Sequence, residues 1–161
     1  MSMVFACDFP DHLWFDVERD VWILPLDNGL LRLGMTDPAQ TRSGKVLHVR
    51  ARAGKTQPVG KSLATIESGK WVGPFPAPVA GTVVNVNSRV LKDPNLINRD
   101  PYGEGWLVEI RPEPSDWHRE DLKIGSEAAT FYRPKLQEAG ITCMRCAPMA
   151  EDLEVGTDAL S

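Results

Sequence analysis

Two stretches of the chain repeat one pattern at a constant offset of 37 residues: Ser43-Gly44-Lys45-Val46-Leu47-His48-Val49 and Ala80-Gly81-Thr82-Val83-Val84-Asn85-Val86. The glycine and two valines of the first stretch align with those of the second. Each stretch then leads through a glycine-containing turn to another β-like segment, 62–67 in one half and 106–111 in the other. This duplication predicts two similar strand sets packed face to face. Chance agreement among Gly and Val in a β-rich chain is the alternative.

Alternating and β-branched residues extend the prediction to most of the chain. Strands are expected at 13–18, 21–25, 30–35, 45–52, 62–67, 82–86 and 106–111. A short helix should begin after Thr36 or Asp37, because their side chains can cap it and Pro38 presets φ. Two further helices are expected at 115–122 and 126–138, the second interrupted at Pro134 and ended by Gly140. The sequence therefore predicts a mostly β protein with short helices.

Composition and charge exclude several classes of protein. Lys and Arg total 18 and Asp and Glu total 22, so the chain is mildly acidic and a poor candidate for nucleic-acid binding. No apolar run approaches the roughly 20 residues that span a bilayer, and the first residues resemble no secretion signal. With only three cysteines, a disulfide framework is not expected and the cytoplasm is the default location. Four acidic residues near the start are expected to be solubilising: Asp16, Glu18, Asp20 and Asp27.

One lysine lies between the two repeats, in the stretch Glu67-Ser68-Gly69-Lys70-Trp71. The predicted strand ends at Glu67, and Gly69 permits a tight turn. Lys70 should therefore project into solvent from the tip of a hairpin. Taken alone, this pattern indicates only an exposed lysine, and most exposed lysines are solubilising.

The chain resembles a known family through several ordered motifs. They are His12-Leu13-Trp14, Gly34-Met35-Thr36-Asp37-Pro38-Ala39-Gln40, Ile66-Glu67-Ser68-Gly69-Lys70, Pro78-Val79-Ala80-Gly81-Thr82-Val83-Val84, and the run from Leu96 to Leu107. Residues 62–87 resemble a lipoyl domain, and residues 12–111 are similar to the H protein of the glycine cleavage system. The resemblance implies a flattened β-barrel and sandwich hybrid of the lipoyl-domain type, with a quasi-twofold repeat and C-terminal helices. We expect a β domain at 1–112, a helical part at 113–140 and a tail at 141–161.

The resemblance also implies a function. Lys70 would carry lipoate as an amide, attached by a lipoate-protein ligase or a lipoyltransferase. The protein would then be a monomeric carrier without catalysis of its own, whose arm shuttles intermediates between enzymes. Glu67, Ser68 and Gly69 would shape the hairpin and help the attaching enzyme recognise it, although simple turn and solubility roles are equally expected.

Two departures from the family pattern decide the preferred setting. Trp71 stands where alanine is usual, and its ring could contact the dithiolane or a partner, although closing the end of the core is slightly favoured. The tail adds Cys143-Met144-Arg145-Cys146. These departures resemble lipoate-binding proteins of sulfur-oxidising prokaryotes, which are linked to a heterodisulfide-reductase-like complex, and that setting is preferred here. The alternative is glycine cleavage, with glycine decarboxylase, aminomethyltransferase and dihydrolipoamide dehydrogenase as partners.

The remaining candidate residues are cysteines and histidines. Cys143 and Cys146 could form a redox pair in a thiol oxidoreductase, but two incidental reduced thiols are the favoured interpretation. A metal site is not expected, because only one Cys-x-x-Cys pair is present. His48 could face a cleft that receives the arm, but an exposed or satisfied strand histidine is favoured. A binding module without lipoate is a further alternative.

Overall fold

A computed structural model describes residues 2–114 and 116–144 of the chain. The strands are β1 (Ser2–Val4), β2 (Cys7–Phe9), β3 (Trp14–Asp16), β4 (Val21–Pro25), β5 (Leu31–Met35), β6 (Val46–Arg50), β7 (Thr56–Gln57), β8 (Ser62–Ser68), β9 (Val72–Pro76), β10 (Gly81–Val86), β11 (Val108–Pro112) and β12 (Leu122–Ile124). The helices are α1 (Asp37–Ser43), α2 (Ser88–Lys92), α3 (Leu96–Arg99) and α4 (Gly125–Ala139). The prediction of a mostly β chain with short helices is confirmed.

The strands form three antiparallel sheets. The largest has the order β12-β3-β4-β5-β11-β10-β7, a second has the order β6-β8-β9, and β1 pairs with β2 alone. Buried residues of the seven-stranded and three-stranded sheets form one apolar cluster, among them Leu33, Ile66 and Val83. The lipoyl-type arrangement of two packed sheets predicted from the sequence is therefore present.

The internal repeat appears as two equivalent strand pairs in different sheets. β6 pairs with β8 in the smaller sheet, and β10 pairs with β11 in the larger one. Each pair contains a bulge: Leu47 is the extra residue in β6 and Val84 is the extra residue in β10. These two residues are also 37 positions apart, so the repeat extends to an irregularity of the backbone that chance agreement in composition does not explain.

The short helix α1 forms as the sequence predicts. Thr36 caps it, because its hydroxyl accepts a hydrogen bond from the N–H of Ala39 at 3.3 Å. The helix ends at Ser43, and Gly44 follows with φ +74° and ψ −167°, a conformation that is almost exclusive to glycine. This end of α1 lies beside the hairpin that carries Lys70.

A second apolar cluster holds the N-terminal hairpin and the C-terminal helix together. It includes Phe9, Phe15, Trp22, Tyr132 and Leu136, all of which are fully or almost fully buried. Phe9 stacks on Tyr132 with ring centroids 4.6 Å apart. The β1–β2 hairpin, which the sequence analysis did not predict, thus forms part of the surface on which α4 packs.

The C-terminal third corrects two sequence predictions. The described residues of 115–122 are not helical; the stretch leads into β12, which pairs with β3, while Trp117 packs edge-on against Trp14. Pro134 does not interrupt α4, which runs unbroken from Gly125 and ends at Gly140 in the left-handed conformation. Pro134 is exposed, whereas Tyr132 and Leu136 are buried, so packing on the other face maintains the helix despite the lost hydrogen bond.

Within residues 2–114 and 116–144, no helix is both long and apolar enough to cross a membrane.

Candidate functional site

Lys70 lies at the tip of the hairpin that joins β8 to β9. The N–H of Ser68 donates to the carbonyl of Trp71 at 2.7 Å and closes the turn. The hydroxyl of Ser68 lies 3.3 Å from that carbonyl and accepts from the N–H of Lys70, also at 3.3 Å. Ser68 is buried and Lys70 is exposed. The serine therefore braces the turn, and the amine stands where another protein can reach it.

The two other hairpin residues have less distinct surroundings. Gly69 has open space where a side chain would stand, since an added Cβ would meet nothing within 4 Å. Glu67 is half-buried and pairs with Val72 of β9 and His48 of β6. Their assignment to recognition by the attaching enzyme remains a prediction.

Gly44 is the residue against which the lysine stem lies. A Cβ at this position would stand 2.9 Å from Cε of Lys70 and 3.6 Å from Nζ. Glycine is thus required twice, for the left-handed backbone and for the close approach of the stem. The sequence analysis used Gly44 as a repeat position and missed this contact.

A cavity of about 810 Å³ opens beside Lys70, between the end of α1 and strand β9. Its volume falls within the range of about 300–1,000 Å³ that is usual for ligand pockets. The apolar part of its wall is formed by Met35, Ile66, Trp71, Pro74, Phe75 and Pro76. An amine at the mouth of an apolar cavity is a suitable anchor for a long apolar arm, because acylation removes its charge and the cavity can shelter the chain.

Besides Lys70, four charged residues line the cavity, and three of these four have ionic partners. Arg19 pairs with Asp16 at 3.0 Å, and Arg42 pairs with Asp20. Among the described residues, the carboxylate of the exposed Glu18 has no ion pair or hydrogen bond. Of the two carboxylates that line the cavity, Glu18 is therefore the one without an ion pair to the described residues.

Asp20 is buried and links the cavity to the C-terminal helix. Its carboxylate binds Arg42, accepts from the hydroxyl of Tyr132 at 2.8 Å and lies 2.9 Å from Nζ of Lys135. Burial, followed by the charge of Arg42, lowers the pKa of Lys135 to about 8, and burial raises the pKa of Tyr132. The expectation that Asp20 only solubilises is wrong, since it holds α1 and α4 together.

Trp71 lies on the cavity wall rather than in the core. The residue is 39% exposed, and it belongs to neither apolar cluster. Its ring covers Gly73, where an added Cβ would meet ring carbon atoms at 2.3 and 2.7 Å. The preference for a core-closing role is therefore wrong.

The histidines lie away from this cavity. His48 is exposed on β6 and does not line the cavity, which agrees with the favoured interpretation of an exposed strand residue. His118 stacks on Trp117 with ring centroids 3.9 Å apart, and His12 is exposed.

The cysteines correct another expectation. Cys7 and Cys143 form a disulfide that joins β2 to the segment after α4, so Cys143 is not the reduced thiol that the sequence analysis favoured. Cys146 lies outside the described residues, and a redox pair with Cys143 would require the Cys7–Cys143 disulfide to open first. In the described part of the chain, no group of three His, Cys, Asp or Glu residues is placed to hold a metal ion.

These features define a class of protein. Two packed sheets related by an internal repeat present a lysine at the tip of a β-hairpin, next to an apolar cavity. This is the arrangement of a lipoyl carrier, in which a rigid domain displays an acylated lysine.

Comparisons with known proteins identify the family. The family model described as glycine cleavage H-protein matches residues 13–135. Glycine cleavage system H protein 3 of Aquifex aeolicus (strain VF5) is 43% identical over 145 residues, which cover 88% of this chain and 90% of the relative. A probable glycine cleavage system H protein 2 of Sulfolobus acidocaldarius is 37% identical over 142 residues, covering 86% and 95%. The crystal structure of a glycine cleavage system H protein from Mycobacterium marinum superposes with a TM-score of 0.65 at 29% identity, covering 83% of this chain and all of that one.

The chain belongs to the glycine cleavage H-protein family. Members of this family are carriers and not enzymes, and they hold lipoate covalently on a lysine. Family membership thus confirms the predicted carrier class and the predicted cofactor. Family membership alone does not identify which lysine of this chain is modified, which cargo it carries or which partners it meets.

Proposed function

We propose that this protein carries lipoate on Lys70 and transports an aminomethyl group among the enzymes of glycine cleavage. The observation that carries this proposal is the position of Lys70, at an exposed hairpin tip and at the mouth of a cavity lined by a carboxylate without an ion pair to the described residues, that of Glu18. When bound, lipoate supplies a disulfide that accepts electrons and, after its reduction, a thiol that holds the cargo.

The surroundings of Lys70 favour attachment of lipoate more than those of an ordinary surface lysine do. The braced turn at Ser68 presents the amine to an attaching enzyme, and Gly44 lets the stem lie toward the cavity. The arm can then alternate between solvent, where partners reach it, and an apolar wall that excludes water.

Glu18 favours a cationic cargo. An aminomethyl group carries a basic amine, and Glu18 offers a carboxylate that forms no ion pair or hydrogen bond with the described residues. The two arginines of the cavity are paired with Asp16 and Asp20, which leaves less positive charge for an anionic cargo. The charge pattern therefore supports glycine cleavage over the sulfur-oxidation setting that the sequence analysis preferred.

The partners follow from this cargo. Glycine decarboxylase would load the arm, aminomethyltransferase would unload it and dihydrolipoamide dehydrogenase would reoxidise it, after a lipoate-protein ligase or lipoyltransferase has attached it. The family description and the names of the relatives support this set and give no support to a heterodisulfide-reductase-like complex. The proposal places the protein with those enzymes in the cytoplasm, as a monomer that docks to each in turn.

The attachment is tested with the full-length chain, ATP, lipoate and a lipoate-protein ligase, followed by peptide mass spectrometry. Lipoate should be found on Lys70 alone, and Lys70→Arg should lose it completely while keeping the thermal stability of the wild type. Lipoate on another lysine, or none under conditions that modify a known H protein, contradicts the attachment.

The cargo is tested by following radioactive aminomethyl transfer from glycine by glycine decarboxylase. We expect Glu18→Gln to lose the loaded group to water about two- to fivefold faster than the wild type, since a solvent-accessible charge pair is worth up to about 1 kcal/mol. Glu138→Gln, an exposed acid on α4, is the matched control and should behave as the wild type. If lipoylated wild-type protein accepts no aminomethyl group, the glycine-cleavage role is wrong although the carrier class stands.

A further inference from the structure

Trp71 is an aromatic side chain that the fold leaves uncovered directly beside Lys70. The residue is 39% exposed and contributes to the cavity wall. Burial of an indole normally contributes to stability, so a Trp outside both apolar clusters loses that benefit. The exposed indole is therefore available for a packing contact with a group that enters the cavity.

The indole already lies against the backbone of Gly73 when no lipoyl group is attached. The ring covers Gly73 so closely that a side chain there would stand 2.3 Å from one of its carbon atoms. Trp71 directly precedes β9, and its ring lies on the face of the strand to which a side chain at position 73 would point. A ring fixed against the backbone in this way forms a preorganised surface, which reduces the entropy lost on contact.

The cavity wall around the Trp71 ring is apolar, which favours contact with sulfur and hydrocarbon groups. Pro74 and Pro76 flank Phe75 on the same wall, and neither proline has an N–H to offer. The lysine stem lies against Gly44 on the opposite side, at the end of α1. An arm that starts along Gly44 and folds back across the cavity therefore meets Trp71.

We propose that Trp71 is the platform on which the dithiolane ring of the lipoyl group rests between transfers. Divalent sulfur packs favourably against aromatic rings, and a cyclic disulfide presents two adjacent sulfur atoms to the indole. The inference rests on attachment of lipoate to Lys70. It adds a positioning residue that holds the oxidised end of the arm on its own domain.

The direct readout is tryptophan fluorescence, because a disulfide in contact with an excited indole quenches it. The full-length chain is prepared with Lys70 unmodified, lipoylated or octanoylated. The octanoyl group has a similar chain and no sulfur. We expect lipoylation to lower the emission, reduction of the dithiolane to restore most of it, and octanoylation to leave it close to the unmodified value.

Two variants locate the quenched ring. Trp71→Phe should lose the lipoyl-dependent change, whereas Trp106→Phe should retain it, since Trp106 does not line the cavity and instead lies under Arg32. As a second measurement, a water-soluble phosphine should reduce the lipoyl group of Trp71→Ala about two- to tenfold faster than that of the wild type, the range expected from one sulfur–aromatic contact.

The two proposals fail separately. Mass spectrometry of the same samples shows whether Lys70 carries lipoate, independently of any fluorescence. If Lys70 is lipoylated and the emission of Trp71→Phe still changes as in the wild type, or octanoate quenches equally, the platform is wrong and the attachment stands. Equal phosphine reduction rates for the wild type and Trp71→Ala also overturn the platform.

Discussion

The two halves of the repeat share a strand pair and a bulge but differ in how their sheets continue. The β10–β11 pair lies inside the seven-stranded sheet, between β5 and β7. The β6–β8 pair belongs to a sheet of three strands, in which Leu47 and His48 of β6 are exposed. Both halves contribute side chains to the core, but only the half in the smaller sheet continues into a short hairpin that presents Lys70.

The largest expected effect on stability comes from a region outside both halves. The disulfide between Cys7 and Cys143 links residues 136 positions apart, and the N–H of Cys143 also donates to Phe5 at 3.0 Å. Cys143→Ser should lower the free energy of unfolding by about 2–4 kcal/mol, because the unfolded chain gains freedom. Urea denaturation without reductant measures this loss.

The control for the Cys7–Cys143 disulfide, called the clamp below, is Cys146→Ser, which should leave the denaturation midpoint unchanged. Lipoylation of folded Cys143→Ser should proceed at the wild-type rate if the hairpin that presents Lys70 is independent of the clamp. An equal loss of stability in both serine variants would contradict the Cys7–Cys143 pairing.

The next effect separates the halves through their equivalent glycines. A Cβ at Gly81 would stand 2.4 Å from the carbonyl oxygen of Arg111 on the paired strand, and a Cβ at Gly44 would meet the stem of Lys70. We expect Gly81→Ala and Gly44→Ala each to cost about 1–3 kcal/mol, the first by a backbone clash and the second by an unfavourable φ. Denaturation curves give both values.

The halves should differ in function where they agree in stability. Lipoylation of Gly44→Ala, measured at a temperature where it is fully folded, should be slower than that of the wild type, because the lysine stem is displaced. Gly81→Ala should be lipoylated normally under the same condition. Equal rates in both variants would mean that the stem of Lys70 does not depend on Gly44.

The smallest effect concerns the helix that packs outside the repeat. The pKa of Lys135 is about 8, below its usual 10.5, so between these pH values the unfolded chain binds more protons than the folded one. The free energy of unfolding should therefore rise with pH across this window, by less than about 1 kcal/mol since the side chain keeps some solvent contact. Lys135→Met should lack this rise in urea denaturation at pH 7.5 and 10.

The sequence predicted the elements whose patterns are local. Alternation and turn residues placed β4 over Val21–Pro25, and the capping side chain of Thr36 with Pro38 placed the start of α1. The β1–β2 hairpin was missed because its strands have three residues each and its turn uses Phe5 and Ala6, at φ 51° and 65°, instead of glycine. The predicted helix at 115–122 was wrong because burial of Trp117 and pairing of Leu122 with Asp16 override helical propensity.

The candidate site likewise has one part that the sequence predicts and one part that it does not. Lys70 was found because its hairpin is continuous in the sequence. The cavity was not predicted, because its wall comes from four separate stretches of the chain, around Asp20, Arg42, Ile66 and Phe75. No periodicity shows that such distant residues meet, so the buried role of Asp20 and the exposed position of Trp71 needed the folded structure.

The prolines of β9 have a consequence for how the protein associates. β9 lies at one edge of the three-stranded sheet, and such an edge can recruit a strand from another molecule. The N–H of Ala77 donates inward to Lys61, so the nitrogens of Pro74 and Pro76, which alternate with it, face outward. Those positions cannot donate a hydrogen bond to an incoming chain. An incoming strand therefore cannot form a continuous ladder along this edge, which disfavours edge-to-edge aggregation through the hairpin that bears Lys70.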